Sequence, residues 1–236
     1  MDIAGLQKMT LLDFPGRVAC TVFTQGCNFR CPFCHNSDLL PMKGEPFMTD
    51  RELLAFLEKR IGLLDGVCFT GGEPTMQPEL PSLIKSIKEL GYAVKLDTNG
   101  TNPKMLKELV ETGLLDYVAM DIKNSPENYP ETAGMDARLL SKVEESVAFL
   151  LAGKVDYEFR TTVVEELHTE ASIEAMGQWL RGIGNGTKPD KWFLQCYTDR
   201  DSVLFAGLSA PEADTMRQYA QILTPFADFV SLRGVD

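Results

Sequence analysis

Short β-rich runs alternate along the chain with longer stretches whose apolar residues recur at helical spacing. Val18–Thr24, Gly66–Thr70, Tyr92–Asp97, Tyr117–Asp121, Asp156–Val163 and Trp192–Tyr197 read as strands. Between and after them, the sequence predicts helices over Asp50–Ile61 with Thr49 as N-cap, Leu80–Leu90 ending at Gly91, Pro103–Thr112 ending at Gly113, Ala137–Ala152 ending at Gly153, and Ser172–Arg181. A last helix is expected over Pro211–Leu223, with proline in its first position. Strands that alternate with helices pair in parallel through helical crossovers, so the expectation is an α/β fold, an incomplete (β/α)6 TIM-like barrel. Phe229–Leu232 adds a marginal seventh strand.

The strands carry a second pattern. Successive side chains of a strand point to opposite faces. Lys95 and Asp97 therefore share a face, as do Ala119 and Asp121, then Glu158, Arg160 and Thr162, and Gln195. The other parity is apolar: Val94 and Leu96, Val118 and Met120, Tyr157 and Phe159. If the apolar face meets the helices, the polar face lines the lumen. A closed eight-stranded barrel fills its lumen with branched aliphatic residues, and buried charge is costly without a partner. Two explanations follow: internal ion pairing, such as Lys95 with Glu158, or a polar ligand running through the lumen.

Three of the six cysteines lie in one short loop, Cys27, Cys31 and Cys34, separated by three and then two residues. Closed zinc sites and ordinary cubanes take four ligands. Three thiolates on a [4Fe–4S] cube leave one iron open to a substrate; His35 as a fourth ligand would make zinc the alternative. Nothing at the N-terminus reads as a secretory signal and no apolar run is long enough to span a membrane, so a cytoplasmic chain with reduced thiols is expected. Cys20, Cys68 and Cys196 sit in apolar strand-like runs and read as buried small hydrophobes.

At 236 residues with no linker, repeat or low-complexity tract, residues 1–236 read as a single domain. The net charge of −11 argues against a nucleic-acid partner, because phosphate contacts need a basic face. A protein or small molecule is the expected partner, and no membrane is.

The remaining polar motifs fall at strand ends, where barrel enzymes keep their sites. Gly71-Gly72-Glu73-Pro74 follows the second strand. Its glycines permit close backbone approach, and carbonyls with the Glu73 carboxylate suit an ammonium group; a turn before a helix is the plainer reading. Asp97-Thr98-Asn99-Gly100 and Asp121-Ile122-Lys123 end the next two strands. Two carboxylates at neighbouring strand ends repel unless a cation or a proton relieves them, although Asp and Asn there also serve as caps and turns.

Taken together, Cys27-x3-Cys31-x2-Cys34-His35-Asn36, Asp13-Phe14-Pro15-Gly16, Gly71-Gly72-Glu73-Pro74, Asp97-Thr98-Asn99-Gly100 and Asp121-Ile122-Lys123 resemble the radical S-adenosylmethionine (SAM) activating enzymes of glycyl radical enzymes. The opening Thr10–Gly16 and the ending Val230–Gly234 are most similar to the anaerobic ribonucleoside-triphosphate reductase activating proteins, with pyruvate formate-lyase activase close behind. The resemblance runs from about Leu11 to Arg233 and implies a radical SAM core. It implies that Cys27, Cys31 and Cys34 bind a catalytic [4Fe–4S] cluster, that Phe33 lies near the SAM adenine, and that Gly71, Gly72 and Glu73 meet the methionyl amino group. Asp97, Thr98 and Asp121 resemble a monovalent-cation site for Na⁺ or K⁺, with the Ala119 carbonyl as a further ligand. Arg160 is placed by strand parity to meet the SAM carboxylate or ribose. No second cysteine cluster stands between Cys34 and Gly71, as in the short activases without a ferredoxin-like insert.

The implied chemistry is one-electron chemistry. Reduced flavodoxin or ferredoxin charges the cluster, SAM is cleaved to methionine and a 5′-deoxyadenosyl radical, and the radical takes a hydrogen from a glycine Cα of a partner, here anaerobic ribonucleotide reductase. The alternatives are a pyruvate formate-lyase-type activase, a radical SAM enzyme acting on a small molecule as the deazaguanine synthases do, and a non-enzymatic iron–sulfur carrier.

Overall fold

The computed structural model describes residues 1, 3–42, 46–203 and 205–235. Among the described residues, eight strands form one sheet in sequence order: β1 (Ile3–Thr10), β2 (Ala19–Thr24), β3 (Gly66–Gly71), β4 (Ala93–Thr98), β5 (Tyr117–Asp121), β6 (Asp156–Val163), β7 (Trp192–Cys196) and β8 (Val230–Arg233). From β2 onward every pair is parallel; β1 runs antiparallel to β2. β1 and β8 are the two edges, so the barrel is incomplete and opens laterally between them. The expected six strands and the marginal seventh are present.

β1 was not anticipated. Its residues Gly5 to Met9 are exposed or half-buried, and bulges interrupt its register with β2, so no period-two alternation marks it. Helices α1 (Asp50–Glu58), α2 (Leu80–Glu89), α3 (Pro103–Glu111), α5 (Leu140–Leu151), α6 (Glu170–Ile183) and α7 (Ala213–Leu223) answer the expected ones, and a short α4 (Tyr129–Ala133) is additional. Thr49 caps α1 in a reciprocal capping box with Glu52, and Thr169 caps α6 with Ser172, so that α6 begins at Glu170, two residues ahead of the expected start. The stretch expected as one helix from Ala137 begins as a 3-10 turn, Ala137–Leu139, before α5. Pro211 does not open α7: the helix begins at Ala213 behind Glu212, in extended conformation.

The parity pattern sorts the two faces as expected. Val67, Phe69, Val94, Leu96, Val118, Met120 and Phe159 are fully buried in the main core, which they share with Leu53 and Leu57 of α1, Ile84 of α2, Leu109 of α3, Val147 of α5 and Leu180 of α6. Each such side chain contributes about 1.5–3 kcal/mol by leaving water. On the inner face a separate small cluster, Phe14, Ala19, Ala93 and Tyr117, closes the lower mouth at the N-terminal ends of the strands. Gly66 lets Phe14 in: a Cβ there would stand 2.9 Å from both the ring and the Ala93 carbonyl. The Asp13-Phe14-Pro15-Gly16 motif thus belongs to the rim opposite the strand-end motifs, with Asp13 accepting from Thr21 Oγ1 at 2.5 Å. Among the described residues, no helix is long and apolar enough to cross a membrane.

Candidate functional site

One cavity of about 250 Å³ opens at the C-terminal ends of the strands. Its wall contains Cys27, Cys31, Cys34, Phe33, Gly71, Gly72, Glu73, Asp97, Thr98, Asp121 and Arg160, so these residues singled out from sequence converge there, while Ala119, named as a further cation ligand, does not line it. Asn36, Asn99, Lys123, Thr162 and Gln195 join them. Lys123 and Asn99 stood inside the quoted motifs without a role, and Thr162 and Gln195 were marked only by strand parity.

The cysteine loop is held from three sides. Gly26 N donates to Leu39 O at 2.7 Å, closing the loop on itself. Ala133 O, at the end of α4, accepts from Arg30 N at 2.9 Å and from Cys31 Sγ at 3.5 Å. Gly134 follows with φ +57°, where a Cβ would lie 2.3 Å from Arg30 O. The unforeseen helix is therefore a buttress of the loop, and its proline-then-glycine punctuation in Tyr129-Pro130-Glu131-Thr132-Ala133-Gly134 was its one legible signal. On the third side Gly72 approaches so closely that a Cβ would sit 2.1 Å from Gly26 O. His35, weighed as a zinc ligand, instead donates from Nε2 to Thr198 O at 2.7 Å and stacks on Tyr197.

Among the described residues, no three His, Cys, Asp or Glu groups gather tightly enough for a single metal ion. A cubane takes one thiolate per iron, so its ligands surround a space rather than meet at a point, and three thiols on one cavity wall suit it. Burial pushes the Cys27 thiol up to about 12 and the Cys31 thiol up to about 11, so iron must displace protons to bind.

Glu73 is 1% exposed, yet no cation faces it among the described residues. It accepts from Thr75 N at 3.1 Å, Thr75 Oγ1 at 2.5 Å, Thr98 Oγ1 at 2.7 Å and Asn99 N at 2.7 Å. Burial raises its pKa against those four donors. A buried carboxylate held in place by neutral donors suits an incoming ammonium group.

Asp97 and Asp121 are bridged by Arg160, whose Nη1 donates to Asp97 Oδ2 at 3.0 Å and whose Nε donates to Asp121 Oδ1 at 3.1 Å. Lys95 also pairs with Asp97, and Lys123 with Asp121 at 2.9 Å. Burial opposes ionisation, but Lys123 and Arg160 outweigh it and hold the Asp121 carboxyl at about 2. Internal ion pairing in the lumen is thus real, with different partners from the Lys95–Glu158 pair considered from sequence. Lys95 is nearer Asp97, two residues along its own strand, while Glu158 pairs with Arg233. The Thr98 hydroxyl, one of the expected cation ligands, donates to Glu73.

The other cysteines divide. Cys20 is buried in the main core as expected, and Cys196 is half-buried. Cys68 is buried on the lumenal face, with Lys95 Nζ 3.7 Å and Asp97 Oδ1 3.8 Å from its sulfur, so strand parity rather than hydrophobicity decides its surroundings.

Known proteins resemble this chain in sequence and in fold. A protein of Methanocaldococcus jannaschii provisionally named a glycyl-radical enzyme activating enzyme is 28% identical over 240 residues, covering 99% of this chain and 96% of its own length. The pyruvate formate-lyase-activating enzyme of Clostridium pasteurianum is 38% identical over 127 residues, 52% of each chain. Among solved structures, Streptococcus suis SuiB bound to S-adenosylmethionine superposes with a TM-score of 0.68 at 14% identity, over 89% of this chain and 48% of SuiB, a likeness of fold. The sequence model of the Radical SAM superfamily matches residues 21–170, from β2 through the start of α6 with the three cysteines inside it, and the chain belongs to that superfamily.

Proposed function

We propose that this chain is an activase of a glycyl radical enzyme, and that anaerobic ribonucleotide reductase is its partner. The observation that carries the reading is the likeness to a protein provisionally named a glycyl-radical enzyme activating enzyme, which covers 99% of the chain. The resemblance of Thr10–Gly16 and Val230–Gly234 to the reductase activating proteins favours the named partner. The pyruvate formate-lyase-activating relative supports a second reading, in which that lyase is the partner.

Cys27, Cys31 and Cys34 would hold the [4Fe–4S] cluster, which supplies, when bound, the single electron that cleaves the sulfur–C5′ bond of SAM. Glu73 takes the methionyl ammonium, with Gly71 and Gly72 leaving room for backbone approach. Arg160 and Lys123 face the SAM carboxylate, each already oriented by Asp121. Phe33, buried against Val164 and Tyr197, offers an apolar face to the adenine. A Na⁺ or K⁺ ion at Asp97, Thr98 and Asp121 shares those carboxylates with Arg160 and Lys123. The closed lower mouth keeps water from the reacting carbon, and flavodoxin or ferredoxin serves as the electron donor.

The test is anaerobic. With reduced cluster, SAM and an anaerobic ribonucleotide reductase, electron paramagnetic resonance should give the doublet of a glycine-centred radical. A doublet only with pyruvate formate-lyase replaces the partner. No radical on either enzyme, with a small molecule stimulating 5′-deoxyadenosine release, overturns the activase reading.

A further inference from the structure

The turn that follows β4 carries a closed ring of three polar side chains, two of which, Asn28 and Thr101, stand outside the cavity wall. Thr101 N donates to Asn99 Oδ1 at 3.0 Å, a local bond that by itself makes an Asx turn, with Gly100 between them at φ +78°. A backbone N–H can only donate, so this bond also fixes which end of the Asn99 amide is oxygen. Asn99 Nδ2 then donates to Asn28 Oδ1 at 2.9 Å, Asn28 Nδ2 donates to Thr101 Oγ1 at 2.8 Å, and the Thr101 hydroxyl donates back to Asn99 Oδ1 at 2.7 Å. Asn99 and Thr101 are buried, and in such surroundings linked hydrogen bonds polarise and strengthen one another.

The ring joins parts of the chain that a local turn has no need to join. Asn28 lies between Cys27 and Cys31, 71 residues from Asn99 and 73 from Thr101. The same turn supplies two of the four donors on Glu73, Thr98 Oγ1 at 2.7 Å and Asn99 N at 2.7 Å. Gly100 N donates to Thr98 Oγ1 at 3.1 Å, so the shape of the turn also sets the direction of that hydroxyl. Glu73 is held by neutral donors alone among the described residues, and its aim therefore follows theirs. The cysteine loop and the carboxylate are two ends of one braced unit.

We propose that Thr101 is a positioning residue for SAM: its hydroxyl locks the turn against the cysteine loop, and the locked turn holds the Glu73 carboxylate in the pose that receives the methionyl ammonium. If the hydroxyl served the turn alone it would be dispensable, because Thr101 N already closes the turn on Asn99. Its second bond, to Asn28, is the one that reaches the cluster loop. The proposal rests on the assignment of Glu73 to the ammonium and names the group that keeps it aimed.

The experiment is calorimetric titration of SAM into anaerobically reconstituted holoenzyme at matched iron content, in a double-mutant cycle of Thr101→Val with Glu73→Gln. Valine keeps the shape of threonine and removes both bonds of the hydroxyl. Thr101→Val should weaken SAM binding about fivefold, the worth of one net hydrogen bond, and Thr101→Ser, which restores the hydroxyl, should stay within about twofold of wild type. In Glu73→Gln protein the valine should change the affinity by less than about twofold, because groups that act through one another are not additive. If Thr101→Val fails to fold, Asn28→Ala opens the same ring from the loop side and should show the same dependence on Glu73. Wild-type affinity in the opened ring, an equal loss in both backgrounds, or a serine variant as weak as the valine one overturns the proposal and leaves the Glu73 assignment standing. Full SAM affinity in Glu73→Gln alone removes that assignment and the proposal with it.

Discussion

Gly72→Ala tests the closest backbone approach at the site. The added Cβ would meet Gly26 O at 2.1 Å and Gly26 C at 2.7 Å, where real Cβ contacts stay above 3.0 Å. About 0.9 Å of separation must therefore be found, and neither partner is a flexible side-chain tip. Gly72 is tied by its N–H to Thr24 O at 2.9 Å, and Gly26 O accepts from Glu73 N at 2.8 Å. The residue after Gly26 is Cys27, so relief of the clash carries a cluster ligand with it. Overpacking of this kind costs about 3 kcal/mol, at the upper end of its usual range. For a chain of this size that is about 6–12 °C in Tm. Gly182→Ala is the control: it lies in α6 with nothing within 4 Å of its Cβ, and alanine should raise Tm slightly through helix propensity. Calorimetry and iron content after anaerobic reconstitution check both. A Gly72→Ala protein with wild-type Tm and full iron loading would refute the account of how the Gly71-Gly72 turn fixes the cysteine loop.

Alanine at any one of Cys27, Cys31 or Cys34 should abolish SAM cleavage and reduce bound iron from about four per chain, whereas alanine at Cys20 or Cys196 should change mainly stability; zinc in the purified protein, without 5′-deoxyadenosine from dithionite and SAM, contradicts this. Glu73→Gln should weaken SAM binding about 10- to 100-fold, the worth of one charge-assisted hydrogen bond. Because burial raises the Glu73 pKa, wild-type affinity should strengthen as pH rises through that range and the Gln variant should lose this dependence, as calorimetric titration would reveal. Asp121 is held at about 2, below its ordinary 3.8, so its stabilisation is complete above about pH 4 and is lost as pH falls toward 2. Asp121→Asn should flatten that acid limb by about 2 kcal/mol, and superimposable acid melts would deny the pairing this weight. SAM affinity in Na⁺, K⁺ and a bulky organic cation, compared between this variant and wild type, decides whether a metal cation joins Arg160 there.

How much of this was legible in the sequence depended on whether a pattern was local. Strand parity sorted Lys95, Asp97, Asp121, Glu158 and Arg160 onto the inner face because the period of a strand is fixed by its backbone. The cysteine spacing and the glycine and aspartate motifs were local too, and the fold gathered all of them into one cavity. Pairing was not legible. Which lysine or arginine meets which carboxylate depends on strand stagger, so Lys95 and Glu158 looked like partners until Arg233 arrived from the far edge. β1, half-exposed and bulged, and α4, a single turn or so, were too short of periodicity to announce themselves.

The stopper that Phe14 makes at the lower mouth has a kinetic consequence. With that end plugged, SAM, its two fragments and any polypeptide share what is left, the C-terminal mouth and the lateral opening between β1 and β8. A bulky partner seated there would bar the nucleoside behind it, so loading must be ordered, cofactor first and protein second, with exit in reverse. Partner in large excess should then slow turnover by trapping spent fragments, a substrate inhibition that opening the lower end through a smaller residue at Phe14 should relieve.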